Sequence, residues 1–148
     1  LLDRGANMES RDISTYTPLM RACEEGRVEV VSMLIGRGAD PAAVSSESWT
    51  ALMCASGGHE RRGAGYVEII RLLLKDGRGR VDARNVYGDT ALLLACLCGH
   101  PEKARVLLLE GNADHTIADY RGVTPMAKAR QADDEETVQL LEVRIGGM

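Results

Sequence analysis

The sequence predicts an all-α solenoid of antiparallel helix pairs stacked side by side, and three observations carry that prediction. The segment Thr17-Pro18-Leu19-Met20-Arg21-Ala22-Cys23 returns as Thr50-Ala51-Leu52-Met53-Cys54-Ala55-Ser56, as Thr90-Ala91-Leu92-Leu93-Leu94-Ala95-Cys96 and as Thr124-Pro125-Met126-Ala127-Lys128-Ala129-Arg130. The leading threonines lie 33, 40 and 34 residues apart, a period at which each repeat is one supersecondary unit that cannot bury its apolar face without a neighbour. Each of the first three copies is followed by an apolar run that ends in glycine: Val30 to Gly38, Ile69 to Gly77, and Val106 to Gly111-Asn112.

The elements follow in order from these motifs. Leu19, Ala22 and Cys23 have the spacing of one helix face, and Val30, Val31, Met33, Leu34 and Ile35 supply the stripe of a second helix. Thr17 is placed to cap the first helix, and Pro18 stands in its first turn, where a missing N–H costs nothing. Ala51 and Ala91 replace that proline in two copies, leaving the cap alone to start the helix. Gly26 turns the chain between the helices, and Gly38 ends the second helix in the left-handed conformation, with Gly5 and Gly77 matching it. Gly111-Asn112 shares that role with one residue gained, asparagine being the next most tolerant of it. Small residues at Ala22, Ala55, Ala95 and Ala129 let first helices approach closely while bulkier second helices stay apart, so the stack curves.

At these residues the chain resembles the ankyrin repeat family over essentially its whole length. The resemblance implies a solenoid whose concave side is lined by first helices and hairpin-like inter-repeat loops, the surface such arrays use for binding. It divides the chain into a partial repeat over 1–11, repeat 2 over 12–44, repeat 3 over 45–84, repeat 4 over 85–118 and a C-terminal capping repeat over 119–148. The opening Leu1 to Asn7 reads as the tail of a repeat whose front is missing, so the chain is expected to be part of a longer one. The cap is expected because Lys128, Arg130, Gln131, Asp133, Asp134, Glu135 and Glu136 make the last repeat polar. Repeat 3 carries an inserted loop over 60–65 with two readings, a tolerated surface loop or a partner-specific basic loop.

Composition narrows the function classes. A chain of 148 residues with 45% apolar and 27% charged side chains can bury a core and keep a solvated surface. Its 18 basic and 22 acidic residues, net charge -4, offer no broad positive face to nucleic acid. No apolar run suits a membrane span. Cys23 and Cys96 hold the same place in their repeats and read as core, Cys54 and Cys98 share their helices, and reduced thiols in a cytosolic or nuclear setting are expected. His59 and His100 each follow a glycine and match the structural Gly-His of the family; His115 is a lone loop residue. No zinc spacing, carboxylate pair or phosphate loop is offered, so neither catalysis nor a cofactor or metal is expected. Arg61, Arg62, Arg78 and Arg80 leave open a local basic spot for phosphate or acidic peptide.

The expected function is therefore non-catalytic binding of a protein partner. Four of the five aromatic residues, Tyr16, Trp49, Tyr87 and Tyr120, fall just before a repeat's threonine, at the loop tips. Large rigid rings gain contact area while losing little side-chain freedom. Tyr16 and Trp49 also admit a second role, stapling one tip to the next. On the first helices, the fourth, seventh and eighth positions after each threonine give an exposed strip: Arg21 and Glu24, then Cys54, then Leu94, Leu97 and Cys98, then Lys128 and Gln131. Its centre is apolar and its ends charged, as in a protein interface; leucines at that spacing are alternatively core. The candidate contact residues are Tyr16, Arg21, Trp49, Tyr87, Leu94, Leu97, Tyr120 and Arg121. Two other readings stand beside this one: a regulatory or targeting arm of a larger enzyme, and a structural subunit of a large assembly.

Overall fold

A computed structural model describes residues 6–58 and 65–147. Within them the chain is helical, with no strand: α1 (Pro18–Glu24), α2 (Val28–Gly36), α3 (Ala51–Gly57), α4 (Tyr66–Asp76), α5 (Ala91–Leu97), α6 (Pro101–Leu109), α7 (Pro125–Gln131) and α8 (Glu135–Gly146). Leu1 to Gly5, His59, residues Glu60 to Ala64 of the inserted loop over 60–65, and Met148 lie outside the described residues.

The four recurring threonines do the same work. Thr17, Thr50, Thr90 and Thr124 sit in extended conformation as N-caps, and each hydroxyl accepts from the N–H three residues on: Met20 at 3.3 Å, and Met53, Leu93 and Ala127 at 3.2 Å. One otherwise unpaired helix donor is thereby satisfied per repeat. The second helices start differently. Only α8 has a side-chain cap, Asp134 accepting from Thr137 N–H at 3.1 Å.

First helices pack on first helices, α1 on α3 on α5 on α7, and second helices follow in parallel. The first-helix contacts are the more extensive, as the buried alanines Ala22, Ala55, Ala95 and Ala129 require. Between the rows lies one continuous core, with Leu19, Met20, Val31, Met53, Ile69, Ile70, Leu92, Leu107 and Leu108 almost fully buried. Burying each such side chain is worth about 1.5–3 kcal/mol relative to leaving it in water. That gain exists only because a neighbouring pair covers it.

Helix pair α5–α6 ends with a division of labour. Asn112 takes the left-handed φ of 51°, the place of Gly38 (92°) and Gly77 (75°) in the preceding pairs. At Gly111 a Cβ would stand 2.8 Å from the Leu107 carbonyl oxygen and 3.0 Å from a Leu74 methyl. The residue gained here thus serves close packing, and the asparagine serves the turn.

Candidate functional site

The loops between helix pairs are built by one scheme, legible when positions are counted back from each threonine. Five residues before it stands Asp12, Ser45, Asn85 or Asp119, whose side-chain oxygen accepts backbone N–H groups of its own loop. Such side-chain turns close a tip locally. Two residues before the threonine the chain is left-handed, at Thr15, Ser48, Gly88 and Gly122. Adjacent tips are then tied through the main chain, Val86 N–H donating to Glu47 O at 3.0 Å and Tyr120 N–H to Tyr87 O at 3.2 Å.

Six residues before the threonine, two arginines act as clamps. Arg11 donates to Thr15 O (2.9 Å) and to Val44 O of the next tip (2.6 Å). Arg84 repeats this two spans further on, donating to Gly88 O (3.2 Å) and Ala118 O (2.6 Å). The Arg84 guanidinium also stacks 4.5 Å from the centre of the Tyr120 ring. Tyr120 is further seated by Gly88, where a Cβ would come within 2.6 Å of the Tyr120 nitrogen and 2.9 Å of its ring.

The exposures of the expected contact residues divide into two groups. Tyr87 is 57% exposed, Tyr120 66% and Leu97 46%, and Arg121 is exposed beside Tyr120. Tyr16 and Trp49 are half-buried and pack against the core. Arg21 is held by Asp12 (2.5 Å) and Glu24 (2.6 Å) and lies 4.5 Å from the Tyr16 ring. The Tyr16 phenol is raised above its ordinary pKa, by burial first and then by neighbouring Cys54 and Glu24.

Leu94 corrects the expectation of an exposed strip: it is only 6% exposed, and its side chain and the Trp49 ring both border Gly57. Cys54 and Lys128 at the same position are likewise buried. The physical reason is common to all three. The fourth residue after a threonine lies near the residue that precedes the previous repeat's threonine, so Cys54 meets Tyr16, Leu94 shares the surroundings of Gly57 with Trp49, and Lys128 meets Asp89. Lys128 Nζ lies 2.8 Å from Asp89 Oδ1 and 3.2 Å from Asp119 Oδ2. Burial pulls its pKa down, but the two carboxylates outweigh that and the net shift is upward. Asp119 is held below the usual carboxylate range, first by the Val123 N–H it accepts, against a cost of burial, with Lys128 and the Arg121 N–H adding to it.

The four cysteines are free. Burial pushes Cys54 and Cys96 up to about 12 and Cys23 well above its ordinary value, so these thiols stay protonated at neutral pH. The half-buried Cys98 thiol faces Gly57 O at 3.8 Å. Among the described residues no three His, Cys, Asp or Glu are grouped to hold a metal, and no helix is long and apolar enough to cross a membrane.

Ile13, Val44 and Val86 also stand exposed on the tips, and with the two arginine clamps they escaped the sequence reading. An arginine six places before the threonine in two of four repeats was the available signal for the clamps. An apolar residue four places before it, in Ile13, Val86 and Tyr120, was the signal for the row.

Repeated capped helix pairs joined by side-chain-closed tips define a class of protein, the helical repeat array. The chain belongs to the ankyrin repeat family: the family model of ankyrin repeats in three copies matches residues 1–78 and 61–144. It is 39% identical over 144 residues, 95% of its length, to the Ankyrin repeat and KH domain-containing protein mask-1 of Caenorhabditis elegans. It is 38% identical over 112 residues, 74% of its length, to the Ankyrin repeat and KH domain-containing protein mask of Drosophila melanogaster. A Caenorhabditis elegans homolog of the Transient receptor potential cation channel subfamily A member 1 is 32% identical over 108 residues, 73% of this chain. The chain spans 5%, 3% and 8% of these relatives' own lengths.

Proposed function

We propose that the chain is a non-catalytic protein-interaction module that grips a partner on its concave face and loop tips. The observation that carries this reading is the pair of exposed tyrosines, Tyr87 and Tyr120, on neighbouring tips joined by main chain. Tyr120 is already ordered by Arg84 and Gly88, so little side-chain freedom is left to lose on binding. Leu97 and Arg121 extend the contact, and Tyr16, Arg21 and Trp49 flank it from the other end of the row. The working division is the partial repeat over 1–11, repeats over 12–44, 45–84 and 85–118, and a cap over 119–148. Free, protonated thiols suit a reducing compartment, the cytosol or nucleus.

The immobilised array should retain a defined set of proteins from a cell extract, and the doubly substituted Tyr87→Ala/Leu97→Ala array should lose them while keeping its helical circular dichroism and melting temperature. An unchanged retained set would refute the proposal. A second reading, the array as a targeting or regulatory arm of a larger protein, is favoured by how little of each relative's length the chain spans. Binding by the isolated array and loss of the larger protein's localisation or activity on the same substitutions would join the two readings.

A further inference from the structure

We infer that the partner segment taken by the last two tips is an acidic peptide carrying apolar side chains. This rests on the interaction reading above and adds the chemistry of the occupant. The carboxylates that sit near these tips, Asp89 and Asp119, are turned inward and used by Lys128. Arg84 spends its hydrogen bonds on the Gly88 and Ala118 carbonyls, which carry no formal charge. Arg121 is exposed, and among the described residues neither guanidinium has a carboxylate within ion-pair distance.

The tip surface around Tyr87 and Tyr120 therefore carries two guanidiniums with no carboxylate in ion-pair contact and, with Lys128 set against Asp89 and Asp119, a local excess of one positive charge, although the whole chain is net negative. Val86 at 48% exposure and the two rings give it an apolar floor. The corresponding columns at the preceding tips hold Ile13 and Ser46, and Ser14 and Glu47, so aromatic rings with a second arginine beside them belong to the last two tips; Arg11 at the first tip repeats the Arg84 clamp with no ring to stack on in the Ser46 column. A basic rim over an aromatic floor is complementary to carboxylates flanking an apolar side chain. Complementarity of this kind sets partner choice and on-rate, and it is screened over about 8 Å at physiological salt.

The test uses fluorescein-labelled twelve-residue peptides and anisotropy titration of the whole chain at low and high salt. The probes are four copies of Glu-Glu-Leu, of Lys-Lys-Leu, of Ser-Ser-Leu and of Glu-Glu-Ser, together with labelled oligouridylate of the same length. The Glu-Glu-Leu peptide should bind about tenfold or more tightly than every other probe and weaken as salt rises. Arg121→Glu should weaken it at least about tenfold, whereas Arg71→Glu, the same charge change on α4, should leave it unaltered. Arg84→Gln should weaken it too, by releasing Tyr120. Equal affinity for Ser-Ser-Leu, equal or tighter binding of oligouridylate, or indifference to Arg121→Glu would each overturn the inference. The extract-retention assay separates this failure from failure of the broader reading. Proteins lost with Tyr87→Ala/Leu97→Ala but indifferent to Arg121→Glu would leave the interaction module standing and remove its acidic ligand; retention indifferent to both would remove both.

Discussion

Leu94 and Leu97 lie three residues apart on α5 and face opposite fates. Leu94 fills the space beside Trp49 under the tip row, so Leu94→Ala should cost about 2–4 kcal/mol in urea unfolding, the range for buried leucine truncations. Leu97→Ala should cost under about 1 kcal/mol and show itself in binding instead. The Lys128 centre makes a second residue-scale prediction. Lys128→Ala strands two inward carboxylates and should destabilise by about 3 kcal/mol. The pH dependence follows from Asp119, whose folded pKa is lowered. A lowered pKa contributes stability that is present above the unfolded value of about 3.9 and is lost as pH falls through the folded one. Thermal melts from pH 7 down to pH 2 should therefore steepen in loss below about pH 4, and Asp119→Asn should flatten that acid limb.

At the scale of the element, the helix starts were open to sequence reading and the loop tips were not. A threonine cap depends on a side chain and an amide three residues away, so Thr17, Thr50, Thr90 and Thr124 announce it locally; Thr90→Ala should cost about 1 kcal/mol. The left-handed stops at Gly38 and Gly77 were equally local, and the choice of Asn112 over Gly111 was the one detail left to the fold. The burial of Cys54, Leu94 and Lys128 was hidden because it depends on a residue about 40 positions earlier, in another repeat's tip. The arginine clamps were hidden for a different reason. Arg11 and Arg84 bind carbonyls, which every residue has, so no partner side chain marks them in the sequence. Gly88→Ala tests the tip as a unit: φ of 83° strains any Cβ, and the new methyl would strike Tyr120. A loss of about 1–3 kcal/mol, with shifted Tyr120 ring resonances in NMR spectra, is the expected outcome.

For the whole molecule, each helix pair leans only on its neighbours, so stability is the sum of the pairs and the interfaces between them. Pairs covered on both sides, α3–α4 and α5–α6, should hold the slowest-exchanging amides, with protection falling toward α1 at one end and α8 at the other. The last pair is distinct on its outward side. Positions that are buried and apolar as Met20 and Cys23, or Leu93 and Cys96, are there exposed Ala127 and Arg130, the latter 3.5 Å from Glu142. Ala127→Leu/Arg130→Cys would restore an apolar face and should raise the tendency to self-associate, measurable by sedimentation velocity.

The alanine-lined contact of the first helices also sets a metre for whatever lies along the tips. Helices packed side by side through small residues stand about 8–10 Å apart, so equivalent tip residues recur at about that interval. A β-strand advances about 3.3 Å per residue with alternating sides, so its third residue arrives at the next tip facing the wrong way. A left-handed polyproline helix advances about 9.3 Å in a three-residue turn and presents the same edge each time. Proline introduced between anchors three residues apart in a bound peptide, in phase with the equivalent tip residues Val86 and Tyr120, should slow its release, whereas the same prolines between anchors two residues apart should hasten it.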